Sequence, residues 1–230
     1  MNLKRLLFGF GLALVLAGQV LHAQQSNIDG KQLAELRAKA EQDNAQAQNE
    51  LGEAFRLGKL GLKTNVVEAV KWFRKAAEQN YAEAQYSVGF CYATGESVAK
   101  DAVEAVKWFR KAAEQHYAKA QTGLGYSYVT GQGVEKDCLE AVKWYRKAAE
   151  QNYSVAQSNL GVCYAHGDGV AKDEVEAYKW MRLAAAQGNE GAKTVITKLE
   201  GKLSQEQIAE GKRRANDWLE QRKKSSAGRQ

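Results

Sequence analysis

No proline occurs anywhere in the chain. Without its ring and its missing amide hydrogen, and with Ala, Glu, Lys and Gln abundant, nearly every long segment is free to be helical, so an all-α protein is the first expectation. Histidine and cysteine are scarce, at three residues each. His22 lies near the start, His116 and His166 fall in turns of different phase, and no His-x-x-x-His or Cys-x-x-Cys spacing exists, which leaves no ligand set for zinc. Also missing are a serine-nucleophile motif, a phosphate-cradling glycine loop ending in Lys, and paired carboxylates in an apolar setting. The chain shows no agent of catalysis, and neither a cofactor nor a metal is expected.

The body of the chain also lacks an excess of charge. The formal net charge is +6, but Lys4 and Arg5 supply two of those charges, and residues 201–230 carry eight Lys and Arg against four acids. Residues 24–200 balance at 23 against 23. A phosphate backbone requires a continuous basic footprint, so no nucleic-acid partner is expected. The apolar run from Leu6 to about Leu16 is shorter than the ~20 residues of a spanning helix. It follows Lys4-Arg5 and precedes small residues and Leu21-His-Ala23, the order of a secretory signal peptide, with Val15-Leu-Ala17 as a second candidate cleavage site. Leu16-Ala-Gly-Gln19 has glutamine where a lipoprotein signal has cysteine. The expectation is an exported chain, periplasmic or secreted, with no stable membrane anchor.

What the chain does contain is repetition. Ala105-Val-Lys-Trp-Phe-Arg-Lys-Ala-Ala-Glu-Gln-His-Tyr117 is written out almost unchanged on either side, and Trp72, Trp108, Trp144 and Trp180 stand at a constant step of 36 residues. A step of that size, carried by whole phrases, marks a stacked array of supersecondary units. Four units begin near Ala47, Ala84, Ala120 and Ala156, each reading Ala-Gln-x-x-Leu/Val-Gly-x-x-aromatic, a glycine-bearing turn, then Glu-Ala-x-Lys-Trp.

In the first half of a unit, Ala84, Val88 and Tyr92 recur every four residues on one face of a helix A. Gly89, Gly125 and Gly161 lie inside it, where glycine costs about 1 kcal/mol relative to alanine, and their recurrence predicts the close approach of another backbone. Gly95, Gly131 and Gly167 are expected to end helix A in the left-handed conformation. Asp101, Asp137 and Asp173, and Asn65 in the first unit, precede a glutamate by three, the spacing of a reciprocal capping box that opens helix B. Helix B is expected to bury Ala105, Trp108, Ala112 and Ala113, with Lys107, Arg110, Lys111 and Glu114 outward. Asn80, His116, Asn152 and Gly188 share one turn position that suits a left-handed residue.

The boundaries that follow are a signal peptide at 1–23, an N-terminal capping half-repeat at 24–46 in which Glu35 replaces the tryptophan, and repeats at 47–83, 84–119, 120–155 and 156–191. C-terminal capping helices are expected at 192–221 and a disordered basic tail at 222–230.

The unit pattern, complete at Ala156–Ala185 and nearly so at Ala120–Ala149, resembles the Sel1-like repeat, a relative of the tetratricopeptide repeat, over about residues 30–200. The tail from Leu203 to Trp218 is similar to the terminal helix of exported bacterial members. The resemblance implies an all-α, right-handed superhelical solenoid of antiparallel helix pairs, working as a non-catalytic adaptor or scaffold that binds another protein or peptide. The chain departs from the disulfide-stapled branch of that family, since Ala77, Ala113, Ala149 and Ala185 stand where a paired cysteine of each unit is expected. Cys91 and Cys163 lie two units apart, too far to pair. Cys138 and Cys163, near one edge of successive units, are the one pair placed to join, and three separate thiols is the other reading.

If helix A lines the concave face, as the resemblance implies, the side chains pointing into it are Gln46, Asn49 and Glu53 in the first unit and Glu83, Tyr86 and Phe90 in the second. Lys119, Thr122 and Tyr126 follow in the third, then Val155, Ser158 and Val162 in the fourth. Tyr86, Phe90 and Tyr126 are large side chains at positions the repeat does not require. Exposed, they would anchor a partner segment that Asn49, Glu53, Lys119 and Ser158 orient. The other reading packs them between adjacent A helices. Two further functions stand beside this one. A hydrolase of the cell envelope has no residues to support it. Against a self-associating structural protein stand the charged ends of the array at Glu35 and Glu200, so a monomer is expected.

Overall fold

The computed structural model of the chain describes residues 24, 25 and 27–227. The signal peptide expected at 1–23 lies outside them. Among the described residues there are eleven helices and no strand. Helix α1 spans 27–41; α2 (Ala45–Leu57), α3 (Val66–Glu78), α4 (Ala82–Thr94), α5 (Ala102–Glu114), α6 (Ala118–Thr130), α7 (Cys138–Glu150), α8 (Ser154–His166), α9 (Glu174–Ala186), α10 (Glu190–Glu200) and α11 (Gln205–Ala227) follow. The even-numbered helices from α2 to α8 are the A helices and the odd-numbered ones from α3 to α9 the B helices; α2 packs on α3, α6 on α7 and α8 on α9. The described residues form two compact units, one of those up to Val88 with Glu96–Val98, the other of Gly89–Gly95 with those from Ala99 on.

The turn chemistry is as read. Gly131 and Gly167 cap α6 and α8 at φ 71° and 84°, and Asn80, His116, Asn152 and Gly188 all have positive φ. Gly133 and Gly169 serve a second purpose. A side chain at either would run into the first residue of the preceding B helix, Ala102 or Cys138. These glycines let the two A-to-B turns lie against the start of the preceding B helix.

The capping box forms by one half only. Asp101 accepts from the amides of Val103 and Glu104, Asp137 from Glu140 and Asp173 from Val175 and Glu176. The glutamates do not reach back. Glu104, Glu140 and Glu176 pair instead with Lys107, Lys143 and Lys179, at 3.0, 2.8 and 2.7 Å. The reason is that the amides of Asp101, Asp137 and Asp173 already donate to the carbonyls of Tyr92, Tyr128 and Tyr164 at the end of each A helix.

The helix-internal glycines answer mainly to a side chain. A Cβ at Gly52, Gly89 or Gly125 would stand 2.6–2.7 Å from the ring of Phe73, Phe109 or Tyr145, the residue after each repeat tryptophan, and one at Gly161 would stand 3.0 Å from Met181. The expected backbone approach is present as well, with the carbonyls of Ala69, Ala105, Ala141 and Ala177 at 3.1–3.2 Å. This corrects the reading of helix B. The fully packed large residues are Phe73, Phe109, Tyr145 and Met181, whereas Trp108 and Trp72 are half-buried, each with a lysine ammonium 4.3 Å from the ring centre. Trp144 and Trp180 are buried.

A buried glutamine ties successive pairs together. Gln48, Gln85, Gln121 and Gln157 are at most 2% exposed. Each donates to a carbonyl near the end of the preceding helix: Ala40, Ala77, Ala113 and Ala149. Gln121 and Gln157 in turn accept from Gln151 and Gln187, the C-caps of their own B helices, at 2.7 and 2.8 Å. A buried amide is tolerated where both its ends are satisfied, which explains a polar residue at the centre of the stack.

The array ends differently from the expectation. Helix α11 runs to Ala227, past residue 222 where the sequence reading starts a disordered tail. Arg222 is anchored, donating to the carbonyls of Glu150 at 2.7 Å and Gln151 at 3.3 Å. Helix α11 lies on α9, with Gly211 over Tyr178 and Trp218 edge-on to Trp180, ring centres 5.9 Å apart.

Candidate functional site: the exposed face of the A helices

The sequence places three residues of each unit on the outer face of helix A, and the structure separates them into distinct rows. The row two places after the motif leucine or valine is exposed in the second compact unit: Phe90 is 39% exposed, Tyr126 53% and Val162 36%. Lys119 and Val155, seven places before Tyr126 and Val162, are exposed too, and α6 and α8 touch each other. The third row turns inward. Thr122 is buried and its hydroxyl donates to the carbonyl of Ala118, while Ser158 aims its hydroxyl at the sulfur of Met181, 3.8 Å away. Asn49, at the same phase in the first unit, is 3% exposed and its Oδ1 accepts no hydrogen bond. Asn49 and Thr122 are therefore not surface contacts, and Ser158 is only half-exposed. At two residues before the leucine, a side chain points down toward helix B, and a small or amide side chain fits there. Tyr86, in this row, is half-buried. Glu53, in the exposed row, is half-buried and pairs with Arg56 at 2.8 Å.

Helices α6 and α8, whose sequences are AKAQTGLGYSYVT and SVAQSNLGVCYAH, contain no carboxylate. Lys119 is held near the ring of Tyr117, 6.0 Å from its centre. The exposed side chains at this phase, Tyr126, Val155 and Val162, are aromatic or apolar, with Lys119 on the same face of α6. Such a face holds side chains of another molecule by excluding water from them.

Beneath it lie the buried side chains of Tyr145 and Cys163. Burial pushes Tyr145 well above the usual phenol range, with Cys163, Tyr126 and Cys138 adding to the effect. Burial likewise pushes the Cys163 thiol up to about 11, the reverse of an activated nucleophile. Cys91, Cys138 and Cys163 form no disulfide. Among the described residues no cluster of His, Cys, Asp or Glu could hold a metal, and no helix is long and apolar enough to cross a membrane.

Paired helices of fixed length, stacked through glycine-on-ring contacts and glutamine bridges, define a helical repeat protein. The Sel1 repeat model matches residues 45–81, 82–117, 118–153 and 154–189, and the chain belongs to the Sel1 repeat family. Each match starts two residues ahead of the motif alanine, at or next to the first residue of an A helix. The fold is thus an all-α solenoid of helix pairs. Among solved structures, a protective antigen present in uropathogenic Escherichia coli strains, displaying an SLR fold, is 35% identical with a TM-score of 0.77, over 82% of this chain and 40% of that one. This chain spans less than half of that relative. A Sel1 repeat protein from Oxalobacter formigenes is 38% identical with a TM-score of 0.65, over 79% and 73%. An immunity protein from Pseudomonas aeruginosa, at 18% identity and a TM-score of 0.52 over 84% and 72%, shares the fold alone. A search of curated proteins returned no match. Sel1 repeat proteins generally mediate protein–protein interaction and are generally non-catalytic.

Proposed function

We propose that this protein is an exported, monomeric, non-catalytic adaptor of the bacterial cell envelope that holds a segment of another protein against the A-helix face of α6 and α8. The observation that carries the reading is the exposure of Phe90, Tyr126 and Val162 at one phase of three successive A helices, where packing alone would be served by alanine or a charge. Helices fixed by buried glutamines and glycine–ring contacts present these side chains without reordering, which lowers the cost of association. Lys119, on the exposed face of α6 two turns before Tyr126, would favour a segment carrying an acid among its apolar residues. The apolar leader at 1–23, ahead of a body with neutral charge, supports export.

The test is a quantitative pull-down from envelope extract with residues 24–230, beside a variant carrying Phe90→Ala, Tyr126→Ala and Val162→Ala that circular dichroism shows to be folded. One protein enriched by the parent and lost by the variant supports the reading. Equal capture by both removes the A face from it.

A further inference from the structure

One joint of the array, between α7 and α8, carries a cysteine on each side. Cys138 is the first residue of α7, and Ala141, Val142 and Tyr145 follow it at i+3, i+4 and i+7, which puts all four on one face of the helix. That is the face α8 packs against. Ala141, Val142 and Tyr145 share a buried cluster with Cys163, which lies in the last turn of α8.

The turn after α8 brings the two cysteines to the same place. The Cys163 carbonyl accepts from the amides of Gly167 at 2.8 Å and Asp168 at 3.1 Å, and the next residue, Gly169, lies so close to the Cys138 carbonyl that a side chain there would overlap it. The thiols also act on each other electrostatically: Cys138 is among the groups that raise the Cys163 thiol, and both raise the Tyr145 phenol. At the corresponding places of the other joints, Val66 stands with Cys91, Ala102 with Ser127 and Glu174 with Leu199. Only the joint of α7 and α8 has cysteine at both.

We propose that Cys138 and Cys163 are a redox pair that closes reversibly into a disulfide and clamps the first turn of α7 to the last turn of α8. In the structure the pair is open. Cys138 is half-exposed and Cys163 buried, which sets the order of events. The Cys138 thiolate attacks one sulfur of a small disulfide such as oxidised glutathione, forming a mixed disulfide and releasing one thiolate. Cys163 gives up its proton and attacks the Cys138 sulfur, which forms the internal bond and expels the second thiolate. The two electrons and two protons that the protein loses leave on the two glutathione thiols. A bond across the joint restricts the unfolded chain and makes the array harder to unfold. This inference does not rest on the A-helix reading.

To test it, the reduced protein is equilibrated at pH 8 in glutathione buffers from fully reduced to fully oxidised, quenched with acid and alkylated with iodoacetamide in denaturant. Mass spectrometry of the digested protein reads each thiol. In oxidised buffer the expected product is a monomer in which the Cys138 and Cys163 peptides are joined, Cys91 alone is alkylated, and dithiothreitol reverses the link. Oxidation should also raise the thermal midpoint by about 5 °C or more. Cys138→Ser should abolish the rise, as should Cys163→Ser, which installs the residue that Ser127 already is at this place in α6, while Cys91→Ser should keep it. Three alkylated thiols in fully oxidised buffer overturn the proposal, as do a dimer joined through Cys138, a link to Cys91, or glutathione held on Cys138 with Cys163 still alkylated. An unmoved midpoint in protein that carries the bond overturns the clamp.

Discussion

The ring edge of Tyr145 occupies the place that a side chain at Gly125 would need: a Cβ there would stand 2.7 Å from Cε1 and 3.2 Å from the carbonyl oxygen of Ala141. Neither neighbour can yield, since the ring is buried between helices and the carbonyl belongs to helix backbone. Overpacking of this kind costs about 1–3 kcal/mol, against ~1 kcal/mol gained by replacing a helical glycine with alanine. Gly125→Ala should therefore lower the thermal midpoint. Gly123→Ala, two residues away in the same helix with Phe109 at an ordinary 3.5 Å, should leave it unchanged or raise it. Equal effects in the two melts would remove the glycine–ring contact as the reason for the motif.

Gln121 bridges two helix pairs by donating to Ala113 at 3.1 Å and accepting from Gln151 at 2.7 Å. Gln121→Met keeps the volume and removes both bonds, while the Ala113 carbonyl keeps the amide of His116 and the Gln151 amide keeps the carbonyl of Lys147. Losing the bridge should cost about 0.5–1.5 kcal/mol, which denaturant unfolding should register as a lower midpoint.

Trp218 is half-buried against Trp180, and Arg222 closes over its ring at 5.6 Å before reaching α7. Trp218→Ala removes the centre of that seat and should cost about 2 kcal/mol, less than the ~3–5 of a fully buried tryptophan. The effect should be local. Hydrogen exchange is expected to speed up in α11 and remain slow in α6 to α8, and uniform acceleration would show that α11 is integral to the whole array.

Hydrogen bonds from Arg213 and then Arg214 hold the Glu210 carboxyl down to about 2. A depressed carboxyl stabilises the fold above its ordinary value of 4.5, and that stabilisation is lost as pH falls through about 2. The tryptophan signal of the α11 seat should hold from neutral pH to about 4.5 and decline below it. In Glu210→Gln the decline across that window should be shallower.

Cys163 is buried with its thiol at about 11, and Cys91 is buried, whereas Cys138 is half-exposed. A raised thiol leaves stability intact below its ordinary value of 9.0 and withdraws it as pH rises through about 11. Iodoacetamide on the native protein at pH 8 should therefore modify Cys138 first, read by mass spectrometry, with all three reacting after denaturation. Early labelling of Cys163 would contradict its burial.

Much of this fold was readable because its determinants are local. A glycine that must take positive φ, an aspartate that receives the first amides of a helix, and a 36-residue step are properties of neighbours in the chain. The candidate site was readable only by halves. Tyr126, Phe90 and Val162 stand on the exposed row, but Asn49 and Thr122, a few residues away on the same helices, proved buried. Helical phase alone does not say how deep the adjacent helix sits. The Ala-Gln pair recurs in every unit, and an amide recurring among apolar residues is itself the signal of a buried bridge.

The sequence by itself determined the helices, their caps and turns, the repeat and the neutral charge of its body, because each is settled by hydrogen bonds and backbone preferences within a few residues. The tertiary structure alone decided that Phe109 and Tyr145, more than Trp108, fill the core against a glycine, and that one row of helix A faces water while the next faces inward. It also decided where α11 comes to rest. Tyr178 and Leu183 depart from the repeat in the fourth unit with no local reason, and only a helix packed on them, some thirty residues further on in the chain, shows what they are for.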